Sequence, residues 1–163
     1  MEWTHFMIHA TDTPPTYNVT RKDLDKWHII ENKWLRYGYA MLIERIKGLD
    51  ILIPFDRDDV IDSWEISNGA RGWNGRTKHI AWAGGKGLDG KAEYNMTTIQ
   101  ESCLTTVCRL IVMLYPRIKL IGHNQVHPTK YCPSFDVRKY AKAIGIPDKN
   151  IDFHKYVDNP FLT

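Results

Sequence analysis

The sequence predicts a single α/β domain, a sheet with helices packed on its faces. Three observations carry this expectation. Short apolar runs of strand length, at 6–9, 79–83 and 118–121, are separated by turn-rich stretches and by helical patterns. The chain has 163 residues, 43% of them hydrophobic, enough to bury one core. No internal repeat, low-complexity run or Pro/Ser-rich linker divides it. The expected domain is therefore the whole chain, 1–163, with a core over 4–145 and a C-terminal tail over 146–163.

Phe6-Met7-Ile8-His9 reads as a buried strand, ended by the turn-rich Ala10-Thr11-Asp12-Thr13-Pro14-Pro15. Thr20 is placed to cap a helix with Asp23 in its first turn, and Leu24, Trp27 and Ile30 recur at near-helical spacing. Residues 39–46 alternate loosely as a strand, and Lys47-Gly48 turns the chain into a second strand at 49–54, a hairpin. The Gly/Asn/Arg-rich stretch 66–78 reads as a surface loop, and His79-Ile80-Ala81-Trp82-Ala83 as a strand ended by Gly84-Gly85.

Thr97-x-x-Gln100 is a capping box that opens the strongest helix. Its expected apolar stripe is Ile99, Cys103, Val107, Leu110/Ile111 and Leu114, and Pro116 stops it. Ile118-Lys119-Leu120-Ile121 is another buried strand, 122–134 a polar loop, and 135–144 a last helix broken by Gly145 and Pro147. From Asp148 onward the pattern is irregular.

Lys and Arg number 22 against 19 Asp and Glu, a formal charge of +3. That is too mild for a nucleic-acid binder, which needs a clustered basic face. No apolar run approaches the roughly 20 residues that cross a bilayer. The segment Met1-Glu2-Trp3-Thr4-His5 lacks the basic and apolar regions of a secretory signal. The expectation is cytoplasmic synthesis without a membrane partner, any work outside the cell needing another exit route. Three cysteines do not suggest a disulfide framework.

Two of the expected strands end on a histidine, His9 and His123, and Cys132-Pro133 follows nine residues after the second. If those strands are neighbours, their tips lie close and a loop cysteine can complete a three-ligand set. Two imidazoles and a thiolate suit zinc and leave a fourth position open, the pattern of a catalytic site. His127 is a rival to His123; its mid-loop position favours His123. Cys103 and Cys108 fit the apolar side of the long helix as small hydrophobes. His28, beside Trp27, reads as structural, and His79 as a strand residue that could face a cleft.

These residues resemble the N-acetylmuramoyl-L-alanine amidases, the superfamily shared by phage amidase lysozymes and peptidoglycan recognition proteins. Phe6 to Pro14 is similar to their first strand, and Trp27-His28, Trp34 and Tyr37-Gly38-Tyr39 to their "WH…GW…GYH" run. Phe55-Asp56-Arg57 stands where they usually have Gly-Arg, and Gly72-Trp73-Asn74 with the strand to Gly85 resembles their "G-aromatic-N … SIG" stretch. Gly122-His123 and Lys130-Tyr131-Cys132-Pro133-Ser134-Phe135-Asp136 are similar to "GH…K-x-CP-x-FD", the most specific of the matches. Two departures stand out: Ala40 where the family has His, and Gly69 where many members have His.

The resemblance implies a central mixed β-sheet flanked by helices and one zinc ion per chain in a surface cleft. It implies His9, His123 and Cys132 as metal ligands, and Tyr39 and Lys130 as catalytic groups beside the metal. Arg71, Trp73 and Asn74 are candidates for the substrate groove, Trp by stacking and Arg by meeting a stem-peptide carboxylate. The implied activity is zinc-dependent hydrolysis of the bond between N-acetylmuramic acid and L-alanine in bacterial peptidoglycan, in the manner of a phage endolysin released through a pore or a delivery machine. The competing expectation is a recognition module that holds muropeptides without cutting them; the presence of Cys132 favours the enzyme. Some relatives also regulate a protein partner, and a monomer is the default state.

Overall fold

Five strands form one mixed sheet in the order β3-β2-β4-β1-β5. They are β1 (His5–Ala10), β2 (Met41–Glu44), β3 (Gly48–Ile51), β4 (Thr77–Trp82) and β5 (Lys119–Gly122). All neighbours run parallel except β2 and β3, the expected hairpin at the sheet edge. The computed structural model describes residues 2–162 except 55, 57 and 59, so Phe55 and Arg57 lie outside the described residues. Among the described residues no helix is long and apolar enough to cross a membrane.

Strand parity divides the molecule. Phe6, Ile8 and Ala10 of β1 and Ile80 and Trp82 of β4 pack with the long helix α2 (Thr98–Leu114) and with α3 (Val137–Ala143). Met7 and Ile121 face the other way, into a smaller cluster with Ala70 and Trp73. Because successive strand side chains alternate, His9 falls on that second face, away from α2.

The capping box at Thr97 forms as expected: Thr97 Oγ1 accepts from Gln100 N–H at 3.2 Å, and Gln100 Oε1 accepts from Thr97 N–H at 3.0 Å. The buried face of α2, however, is Gln100, Leu104, Val107, Cys108 and Ile111. Ile99, Leu110 and Leu114 are exposed. The stripe is rotated from the expected one because Gln100 is itself buried, its Nε2 donating to the carbonyls of Ile43 and Ala83 at 3.2 and 2.8 Å. Leu104 and Ile111 then meet the sheet, each contributing about 1.5–3 kcal/mol by leaving water.

The helix after Thr20 also differs from expectation. One α-turn, α1 (Arg21–Leu24), continues as a π-helical segment over Asp25–Glu31. Asp23 anchors its start by accepting from the Thr20 N–H and hydroxyl, both at 2.8 Å. In the widened segment the Asn32 N–H reaches the Trp27 carbonyl five residues back. Leu24 and His28 turn inward and Ile30 is left exposed.

The stretch 66–78 is only partly a surface loop. Ser67, Ala70 and Trp73 are buried, and β4 already begins at Thr77. Among its described residues the tail contains a 3-10 turn at Asp148–Asn150 and an isolated bridge from Ile151 to Leu120, and it is packed: Ile151, Asp152, Asn159 and Leu162 are buried.

Candidate metal centre

Parallel pairing places the two histidine-bearing tips at the same end of the sheet. Ile8 of β1 is opposite Gly122 of β5, so His9, still paired with Ala81 of β4, and His123, just past β5, lie side by side. Their rings are 4.7 Å apart between centroids. Cys132 arrives from the loop after β5, and its Sγ lies 3.6 Å from His9 Nδ1. One nitrogen from each histidine and the sulfur all lie within 4.8 Å of one another.

The cysteine is held by backbone. Ala10 N–H donates to Cys132 Sγ at 3.1 Å, Asn124 N–H to the Cys132 carbonyl at 2.7 Å, and Trp82 Nε1 to the Pro133 carbonyl at 3.2 Å. The Cys132–Pro133 peptide is cis. Ser134, at φ 74°, donates its hydroxyl to the Gly85 carbonyl at 2.8 Å. Gly85 itself, at φ 96°, lies so close to β1 that a Cβ there would come within 2.5 Å of Ala10 Cβ. A side chain at 85 would push the β4 tip away from the site.

The triad opens into a cavity of about 380 Å³, whose walls include Asp12, Tyr39, Gly69, Thr129 and Lys130. The Tyr39 ring lies 5.3 Å from His9 and edge-on, at 5.5 Å, to His28. His28 is a support: its Nδ1 accepts from Gly38 N–H at 3.2 Å, and its ring stacks on Trp34 at 4.9 Å. Asp12 at the cavity mouth pairs with Lys86 at 3.1 Å.

The electrostatics favour neutral nitrogen donors. Burial, then the proximity of His123 and His79, lowers the His9 pKa well below 6.5. Burial, helped by His127 and Lys130, brings His123 down to about 4. Both imidazoles are thus uncharged at neutral pH, the form that offers a lone pair. Burial pushes the Cys132 thiol up to about 12 despite the Ala10 N–H and Lys130. Burial also raises the Tyr39 phenol, so Tyr39 stays an O–H donor.

The donor set fits zinc. With Zn–S near 2.3 Å and Zn–N near 2.0–2.1 Å, two ligands of a tetrahedral ion stand about 3.6 Å apart. The separation of His9 Nδ1 from Cys132 Sγ is 3.6 Å. Three protein donors facing an open cavity leave the fourth position accessible, as in catalytic zinc sites.

The other expected residues lie elsewhere. Arg71, Trp73 and Asn74 do not line the cavity. Trp73 is buried beneath the chain, edge-on to His5 and Tyr156 at 5.1 and 4.7 Å and covered by Arg76 at 4.1 Å, so its faces are not free for a sugar. Asn74 Oδ1 accepts from Ala70 N–H at 2.8 Å and braces the loop, while Arg71 is exposed. His127 stands beside His123 with ring centroids 5.7 Å apart, outside the triad. Cys103 and Cys108 are free thiols packed on α2.

No protein-family model matches the chain. It is 30% identical over 142 residues to the endolysin of Enterobacteria phage K11, 87% of each chain being covered. The chain belongs to the phage endolysin family. The endolysin of Escherichia phage T7 is 29% identical over 133 residues, 82% of each chain. Among solved structures, the Ph2119 endolysin from a Thermus scotoductus bacteriophage matches with a TM-score of 0.69 at 17% identity, over 89% of this chain and 86% of that one. The N-acetylmuramoyl-L-alanine amidase LysC from Clostridium intestinale URNW gives 0.69 at 21% identity, over 90% and 87%. Bumblebee PGRP-SA gives 0.68 at 15% identity, over 94% and 86%. The fold of this endolysin is thus the amidase and peptidoglycan-recognition fold.

Two residues around the site take a part that the sequence reading does not fix, although His79 stands in it as a strand residue that could face a cleft. His79 touches His9, a contact that strand parity hints at but register decides. Asn159 in the tail donates from Nδ2 to the carbonyls of Asn124, His127 and Lys130 at 2.9, 2.6 and 3.1 Å, strapping the loop that carries Lys130 and Cys132. Nothing in the local pattern of the tail announces that role.

Proposed function

We propose that this endolysin is a zinc-dependent N-acetylmuramoyl-L-alanine amidase acting on bacterial peptidoglycan. The observation that carries the reading is the convergence of His9, His123 and Cys132 at the spacing of a tetrahedral zinc site, facing an open cavity. The amidase neighbour and the endolysin relatives support it.

A zinc ion bound there would polarise the scissile carbonyl and make water a nucleophile near neutral pH. The chain's own groups supply the rest. His9, His123 and Cys132 would hold the cation at the C-terminal end of the parallel strands, and the backbone bonds to Cys132 keep the sulfur from swinging away. Tyr39, protonated and on the cavity wall, is an O–H donor for the oxyanion that develops at the carbonyl. Lys130, on the same wall, brings an ammonium to that charge. The leaving amine needs a proton, and these two groups are the donors at hand.

Mass spectrometry of digested peptidoglycan tests the reading. Free N-terminal alanine on released stem peptides, with intact glycan strands, is expected. New reducing sugar ends, or cuts between stem residues, would overturn it. Muropeptide binding with no bond cut would make the chain a recognition module.

A further inference from the structure

Beside the three donors sits a third imidazole that the chemistry above does not use. His79 is fully buried on β4, and its Nδ1 lies 2.9 Å from His9 Nε2. We propose that His79 is a positioning residue, holding His9 in the one tautomer and ring orientation that present Nδ1 to the cation. The inference rests on the zinc reading and adds to it a residue that sets metal affinity without touching the metal.

The geometry runs from ligand to support. His9 Nδ1 is the atom 3.6 Å from Cys132 Sγ, so it is the nitrogen turned toward the other donors. A ligating nitrogen presents a lone pair, which puts the His9 proton on Nε2. That proton points at His79 Nδ1, which accepts it, and His79 then carries its own proton on Nε2. The opposite tautomer of His9 would place an N–H against the sulfur and close the site to a cation. With the cation in place, His79 Nδ1 is the buried acceptor that the His9 Nε2 proton meets, so the pair fixes the ring as the open form requires. Burying an imidazole beside a ligand is costly if its polar atoms are unused, and His79 Nε2 has no hydrogen-bond partner among the described residues. His9 is thus the one hydrogen-bond partner of this buried ring among the described residues.

The chain also makes room for this ring. A Cβ on Gly69 would come within 2.4 Å of His79 Nδ1 and 2.5 Å of its Cγ. The backbone at Gly69 is not left-handed, so glycine there serves space and not conformation. Gly69 and His79 act as one device: the missing side chain admits the imidazole, and the imidazole aims His9.

The test is the zinc dissociation constant of the full chain, measured by competition with a chromophoric chelator, with melting of the metal-free protein followed in parallel. His79→Leu fills the volume without an acceptor. His79→Asn offers a carbonyl oxygen near the position of Nδ1. Gly69→Ala displaces the ring, and presses also on the Gly38 carbonyl at 2.8 Å, while leaving every ligand unsubstituted. Loss of an outer-shell partner typically weakens metal binding about 10–100-fold, and that is expected for His79→Leu, with a loss of about tenfold for Gly69→Ala. His79→Asn should stay within a few-fold of the parent. Should His79→Leu fail to fold, the contrast between His79→Asn and Gly69→Ala decides. Zinc affinity unchanged in His79→Leu or Gly69→Ala, or lost equally in His79→Asn, would overturn the proposal while leaving the zinc site standing. A parent chain that takes up no zinc would overturn both.

Discussion

The sulfur of Cys132 accepts a hydrogen bond from the backbone N–H of Ala10 at 3.1 Å, tying the metal-site loop to the residue that follows His9 on the first strand. On the proposed reading one residue is both donor to the cation and a clasp between distant parts of the chain. Replacing sulfur by oxygen keeps the clasp and weakens the donor. Cys132→Ser is therefore expected to fold normally, to fall from about one zinc per chain to a small fraction of that, and to lose peptidoglycan clearing. Elemental analysis alongside zymography reads all three; full zinc content in the variant would remove Cys132 from the ligand set.

Lys130→Ala separates binding of the metal from turnover. The side chain is exposed on the cavity wall and is not part of the triad. Zinc content should be unchanged while kcat drops by about 10²–10³, the range for removal of one oxyanion donor. Single-turnover release of stem peptide measures it.

Acid should loosen the tail first. Burial would raise the Asp152 carboxyl, but bonds from His5, the His154 N–H and the Tyr156 hydroxyl outweigh it and hold the group at about 2. An unfolded Asp titrates near 3.9, so the native state binds its proton less readily and is favoured by about 2–3 kcal/mol above that pH. The stabilisation is present above about pH 4 and disappears as pH falls toward 2. Denaturant midpoints between pH 5 and pH 2 should show this slope in the parent chain and a flatter one in Asp152→Asn.

Gln100→Leu probes the rotation of α2. It leaves the Ile43 and Ala83 carbonyls without the amide that joins helix to sheet. Each carbonyl keeps one other donor, the Ala83 N–H on Ile43 at 2.9 Å and Arg45 on Ala83 at 3.3 Å. The loss is that of two ordinary hydrogen bonds, about 0.5–1.5 kcal/mol each, and the urea midpoint should fall. Zinc content should stay at the parent level, because the ligands leave the opposite face of the sheet.

Asn159→Leu removes the strap over the site loop, whose three carbonyls share one side-chain amide. Amide hydrogen exchange over residues 123–132 is expected to quicken by an order of magnitude or more, corresponding to about 1–3 kcal/mol of lost closure. Exchange in α2 should be unaffected. Equal exchange in the loop would make the strap incidental.

Much of the architecture is legible because it depends on local patterns. Phe6 to His9, Leu120 to His123 and the Thr97 capping box are set by apolar runs and caps that neighbouring residues determine. What escapes is decided by partners far along the chain. Gln100 looks like a surface cap until two strand carbonyls claim its amide. Ile30 looks buried until the helix widens at Asp25. Trp73 resembles a groove residue in sequence, yet His5 and Tyr156 enclose it. The convergence of His9, His123 and Cys132 is readable because they end strands or sit beside a proline, whereas the pairing of Gly69 with His79 depends on volume, which no spacing rule records.

The three donors are spread over 123 positions, from the opening strand to a loop near the far end, and the clamp at Asn159 follows later still. A chain that ends before Cys132 would lack the third donor of the proposed set, so on this reading cation uptake would wait for the loop after β5.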